Sequence, residues 1–375
     1  MGRNASGDAP SAGFPWRALA VLCAGIALSS QAVRAEPYFA VYKGLQCSAC
    51  HSHPAGGGKR TAFGNAFAQT ELPAERVGPA DAELWTGAVS RWLAVGANLR
   101  ADYRYADIPN QDVTSEFAVR RGTAYLEATL VPNRLSVYVD EQFAPGANLN
   151  REAYVRLDSA GGRFHLIGGQ FFLPYGLRFQ DDTAFVREAT GTNFTNPDRG
   201  LQIGYDSGPW STQLSLTNGT GGGPETDTGK QISWAGQYVR QGWRIGASAN
   251  LNDADAGNRE MGNLFAGLRT GPIVWLAEAD LIQDDTPGGE ETEAIAGYLE
   301  ADWLFGNGHN LKFAYDYFDP DDDVDENHNV RWSLLWEYVP MQFLQFRLGA
   351  RIYDAPPEDD FLNRDEYFLE IHGFL

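Results

Sequence analysis

Between Leu93 and Tyr105 the chain alternates with a period of two. Leu93, Val95, Ala97, Leu99, Ala101, Tyr103 and Tyr105 fall on one face of an extended strand, and Asn98, Arg100, Asp102 and Arg104 on the other. The pattern returns in Leu135/Val137/Val139, Leu201/Ile203/Tyr205, Ile245/Ala247/Ala249/Leu251, Leu311/Phe313/Tyr315/Tyr317 and Val330/Trp332/Leu334/Trp336/Tyr338. Downstream of the N-terminal stretch no apolar run reaches the roughly 18 residues that a spanning helix needs. One apolar and one polar face per strand therefore leaves two architectures: a half-buried soluble sandwich, or a barrel with lipid outside and water inside.

The connections discriminate between them. About sixteen runs can be counted, and every second connection is short, at Pro132-Asn133, Ala160-Gly162, Gly208-Pro209, Gln241-Gly242, Gly271-Pro272, Gly306-Gly308 and Pro340-Met341. The intervening ones are long and acidic: Asp253 to Glu260, Asp284 to Glu293, Asp319 to Glu326 and Glu358 to Asp365. Short periplasmic turns and long external loops are the rule of outer-membrane barrels, and a sandwich has no reason to obey it. The expected fold is an all-β transmembrane barrel of about sixteen antiparallel strands, in residues 81–375, with both termini on the periplasmic side. The alternating end from Tyr367 to Leu375, with Phe374 next to last, suits closure against the first strand. The longest connection, Leu173 to Asp198, is where a porin folds a constriction loop inward; it carries Arg178, Asp181, Asp182, Arg187 and Glu188. In Asp319–Glu326, acids alternate as in a calcium loop, but Glu326 stands where that loop needs Gly. A net charge of −20 argues against nucleic acid and anionic lipid as partners and favours cations.

The N-terminal part reads differently. Residues 1–35 have the pattern of a secretory signal, with Arg3 and Arg17 before an apolar run and Val33-Arg34-Ala35 as cleavage site. Lipidation at Cys23 is disfavoured by the bulky Leu22. The mature chain then has only Cys47 and Cys50, in the order Cys47-Ser48-Ala49-Cys50-His51. C-x-x-C-H is the attachment pattern of one c-type haem, two thiols adding to the vinyl groups and His51 reaching the iron. A zinc site would need a second cysteine pair. Met261 and Met341 lie far downstream, so the second axial position is open to another ligand; of the remaining histidines, His165 and His372 fall on expected strands and face inward. His53 reads as a solvated neighbour. Gly56-Gly57-Gly58-Lys59-Arg60-Thr61 lacks phosphate-loop spacing. Its glycines instead let the backbone turn at the haem edge, and Thr61 caps a helix bearing Phe63 and Phe67 as a cover for the porphyrin. These parts define a small α/loop haem domain over 36–80.

The segment Gly169–Leu177 resembles the strand-and-loop entry of phosphate-selective-type porins. The haem motif, the stretch Thr61-Ala62-Phe63-Gly64-Asn65-Ala66-Phe67 and the barrel together resemble the fused outer-membrane monohaem cytochrome c–porin family of iron oxidisers. That resemblance implies haem roles for Cys47, Cys50 and His51, with Phe63, Gly64 and Phe67 beside the cofactor. It further implies electron exchange between an external donor, ferrous iron foremost, and a periplasmic cytochrome. The competing expectation is a solute-transporting porin, a class that often trimerises, whose haem domain is a periplasmic anchor or redox-sensitive plug. No acid/base constellation at the haem motif points to an enzyme such as a peroxidase.

Overall fold

The computed structural model describes residues 36–375 apart from 80, 147 and 290; the expected signal segment 1–35 lies outside the described residues. Sixteen antiparallel strands close into one barrel, each hydrogen-bonded to its sequence neighbours. Closure is made by β1 (Leu93–Asp107) against β16 (Asp365–Phe374), with Asn98 opposite Phe374 and Arg100 opposite His372. Asn133, with φ 56°, and Gly208, Gly242 and Gly271, all at positive φ, turn the chain at one end. The entry to β1 and the C-terminal Leu375 lie at this same end. One turn sits later than the sequence suggests: β14 runs from Asn329 to Met341, and the chain reverses at Gln342-Phe343. Pro340 has no N–H for the ladder, and the register shifts between Tyr338 and Met341 instead of ending there.

The two faces of the wall carry opposite chemistry. Leu264 and Leu281 are 69% and 66% exposed, and Leu201, Ile245, Trp275, Leu334, Leu348 and Ile371 also face outward uncovered. An apolar belt of this extent is the lipid-facing surface of a membrane-spanning barrel. On the inner face Asp140, Gln202, Ser233, Asn250, Asp280, Asp302 and Arg331 are all buried. In an open barrel of this size the lumen is an aqueous channel; here it is filled.

Two segments fill it. The first is the N-terminal stretch, whose helices are α1 (Pro37–Lys43), α2 (Cys47–Cys50) and α3 (Ala62–Thr70). Pro37 sits in the first turn of α1 and Gly44 ends it at φ 72°, so Tyr38, Phe39, Val41 and Tyr42 are delivered to the interior as a core that the sequence reading missed. The segment is bolted to the short-turn end: Gly242 N–H donates to Val41 O at 2.7 Å, Gln46 Nε2 to Gly208 O at 2.8 Å and Ala74 N–H to Val339 O at 2.8 Å. A Cβ on Gly44 would lie 2.4 Å from the Gln241 nitrogen, so glycine is required at that contact. The second filler is the inward loop between β5 (Phe164–Phe171) and β6 (Asp198–Ser207), with the short helix α4 (Phe185–Thr190). Phe172, Tyr175, Leu177, Phe179 and Val186 are all buried. Asp181 clamps the loop to the wall, 2.9 Å from Arg331 and 2.8 Å from Arg351.

Candidate functional site

Cys47 and Cys50 occupy one turn of helix, and both are free thiols. That turn is fixed from below by α3. Thr61 Oγ1 caps α3 by accepting from Gly64 N–H at 3.0 Å and also donates to Ala49 O at 2.7 Å; a cap of this kind is worth about 1 kcal/mol. A Cβ on Gly64 would lie 2.2 Å from Cys50 O, so Gly64 permits the close approach of α3 to the cysteine turn. The chain then doubles back, with Ser52 N–H donating to Lys59 O at 2.9 Å. Gly56, Gly57 and Gly58 all take positive φ in between. Side chains there would strike the surroundings: a Cβ on Gly57 falls 2.6 Å from the Phe194 ring of the inward loop, and one on Gly58 falls 2.4 Å from the Tyr138 hydroxyl. Lys59 Nζ meets Glu127 at 2.9 Å and Arg156 donates to Ser52 O at 2.9 Å, tying the hairpin to the wall.

Above this turn lies a cavity of about 190 Å³, bordered by the inward loop from Pro174 to Gln180 and by Phe194. Cys47, Cys50 and His51 line it, with Phe39, Phe67, Phe265 and Phe374 as apolar walls. Burial, and then the nearby Arg60 charge, drive the His51 pKa down to about 3; the ring is neutral, the form that binds metal. Its Nδ1 is buried without a hydrogen-bond partner. Burial raises the Cys50 thiol to about 11.

The two histidines considered for the opposite axial position part company. His372 lines the cavity. Its Nδ1 is 2.9 Å from Gln345 Oε1, and Gln180, with its amide turned to accept from Arg100, offers a second acceptor at 3.3 Å. Nδ1 therefore carries the proton, and Nε2 is buried with no partner. His165 is absent from the lining; its ring packs against Gly204, 3.8 Å from Asp206. Phe67 lines the cavity, whereas Phe63 is 50% exposed and stands 6.1 Å from Phe67 at 36°, tilted instead of stacked. α3 buries one face, with Gly64, Asn65, Phe67, Ala68 and Gln69, and Phe63 falls on the other. His53 is corrected outright: it is fully buried, with Nδ1 accepting from Ala55 N–H at 3.1 Å and Nε2 3.5 Å from Glu152.

Sequence reasoning missed the arginines. Arg60, Arg100, Arg121, Arg151, Arg178 and Arg244 line the cavity, against Glu36 as its one acid. They come from β1, β2 (Thr114–Val131), β4 (Leu149–Asp158), β9 (Trp243–Asn252), the hairpin and the inward loop, so only closure of the barrel gathers them.

Neither a protein-family model nor a curated relative matches the chain. Solved structures do. The trimeric form of OmpT, an outer-membrane protein of Vibrio cholerae, superposes with a TM-score of 0.62 at 10% identity, covering 76% of this chain and 100% of that one. An anion-selective porin from Comamonas acidovorans gives 0.60 at 10% identity, over 76% and 99% of the two chains. Salmonella typhi OmpF gives 0.58 at 12% identity, over 76% and 97%. At such identities the likeness is one of fold: the chain is a closed sixteen-strand barrel of the outer-membrane porin type.

Proposed function

We propose that this protein is a bacterial outer-membrane electron-transfer protein. It holds one covalent haem c inside a plugged barrel and exchanges electrons between an external donor such as ferrous iron and a periplasmic cytochrome. The observation that carries the reading is the convergence of Cys47, Cys50 and His51 on one cavity in an otherwise filled lumen. A haem there would supply reversible one-electron chemistry at iron. Cys47 and Cys50 would hold it by thioether bonds, and His51, neutral through burial, would be the first axial ligand. His372 is the candidate for the second, because Gln345 fixes its tautomer and leaves Nε2 free, the arrangement second-shell acceptors impose on metal-binding imidazoles. Phe67 and Phe374 exclude water from the apolar edge.

The filled lumen favours this reading over a solute-transporting porin. Electrons need only short gaps between redox groups, whereas a diffusing solute needs an open path, and the wall side chains that would line such a path are covered. The acidic external loops suit a cationic donor.

The test is a pyridine haemochrome assay on protein made in a host that matures c-type cytochromes. One haem per chain, retained under denaturing conditions, is expected, with Cys47→Ser/Cys50→Ser losing it; His372→Ala should let carbon monoxide bind the reduced protein rapidly. A correctly folded chain without covalent haem would defeat the proposal.

A further inference from the structure

The cavity arginines are in an unusual state, and Arg244 also hydrogen-bonds the Cys47 thiol. Arg178 and Arg244 are more than nine-tenths buried. Among the described residues neither they nor Arg60 and Arg100 have a carboxylate within 4.0 Å. Their contacts are neutral: Arg178 donates to Leu173 O at 2.6 Å, Arg100 to Gln180 O at 3.3 Å and Arg244 to Gln237, while Arg60 lies 4.6 Å over the Phe374 ring. Nε of all four is buried without a partner, as is Nη1 of Arg178 and Arg244. Glu36, the acid at the cavity, is taken by Lys312 at 2.7 Å.

Elsewhere in the lumen several buried charges are balanced, whereas Arg187 rests on the carbonyl oxygens of Leu177 and Thr192. Arg331 meets Asp181 and Asp316, and Arg347 meets Glu337 and Glu370, all within 3.3 Å. Buried guanidinium groups without counter-charge are costly, and a chain of net charge −20 has no shortage of carboxylates to place there. An anionic occupant of the cavity would supply the missing charge.

We infer that Arg60, Arg100, Arg178 and Arg244 form a carboxylate-binding basket that takes the two propionates of the haem and holds positive charge beside it. This rests on the haem reading above. Planar guanidinium donors suit carboxylates in paired hydrogen bonds. The basket also has an electrical consequence: fixed positive charge favours the reduced state, whose iron carries one positive charge fewer, so the arginines raise the reduction potential.

The experiment is optical redox titration of the haem-loaded protein, with haem content checked by haemochrome. Arg244→Gln and Arg178→Gln should each lower the midpoint potential, and Arg244→Lys, which keeps the charge without the paired geometry, should recover part of the shift. Arg134→Gln, at an exposed turn away from the cavity, should leave it unchanged. Added succinate should not move the wild-type potential, because propionates already fill the basket. Fully loaded Gln variants with the wild-type potential would overturn the basket alone, as would a wild-type potential that follows succinate, which would mark a site for free anions. Where a Gln variant fails to form a barrel, the Lys variant carries the test, a potential unchanged in it and a haem lost on denaturation counting against the basket. Absence of covalent haem in wild type would instead remove the underlying reading.

Discussion

The lipid face and the lumen face of the same strands pose opposite problems. Outside, Leu264 and its neighbours stand uncovered and make no specific contacts. Inside, on either side of Leu264 along β10 (Asn258–Thr270), Asn263 and Phe265 are buried, and Asn263 donates to Glu278 at 2.9 Å and to Asp280 at 2.8 Å. The outer face needs only apolarity, whereas the inner face is a polar core in which Asn263 and many of its neighbours are held by specific hydrogen bonds and ion pairs. What the difference teaches is that this lumen is an interior to be packed and not a passage to be kept open.

The sharpest break of that comparison is electrical: inserted in a planar lipid bilayer, the chain should conduct far less than an open sixteen-strand pore. Porin-sized current steps would show the plug to be loosely held. Next is the clamp on the inward loop. Arg331→Ala leaves Asp181 and Asp316 facing each other's burial without their shared partner, an expected loss of about 3–5 kcal/mol, read by denaturant unfolding in lipid and by protease access at the loop. On the other face, Leu264→Arg near the middle of β10 should cost about 2–4 kcal/mol in folding free energy. The cost should vanish in a detergent micelle that lets the charge reach water. Gly57→Ala combines positive φ with a clash on Phe194 and should cost about 1–3 kcal/mol, measured as haem-segment exposure to protease.

The smallest effect is one of pH. Burial pushes the Asp181 carboxyl up, but Arg331 and Arg351 outweigh it and hold the group well below the usual carboxylate range. A depressed folded pKa gives stability that is present above the unfolded value of about 3.9 and lost only as pH falls through the folded one. Loop protection from protease should therefore be the same at pH 7 and pH 4.5. Release of the loop by pH 4.5 would mean that the clamp is not an ion pair.

The barrel was legible because lipid enforces alternation on every strand, and turn lengths disclosed the strand number. Only the turn after Met341 slipped, where Pro340 looked like a breaker but sat in a strand. The cysteine turn, the Thr61 cap and the inward loop were legible as local motifs. The cavity wall was not: Arg100 and Arg244 read as ordinary lumen-facing polar positions, His372 was one of two candidate ligands, and nothing local says that they converge. Choosing between His165 and His372 likewise needed the register of β1 against β16, which sets His372 opposite Arg100. The burial of His53 was hidden because its partner Glu152 is a hundred residues away in the chain.

The central claim is tested most directly by anaerobic visible spectroscopy of the oxidised protein in sealed vesicles, long loops outward, on addition of ferrous iron held in a chelate too bulky to enter the barrel. Fast appearance of the reduced-haem spectrum is the expected result. No reduction by the bulky donor, with ready reduction by a small permeant one, would contradict it and return the molecule to a porin that carries a periplasmic haem.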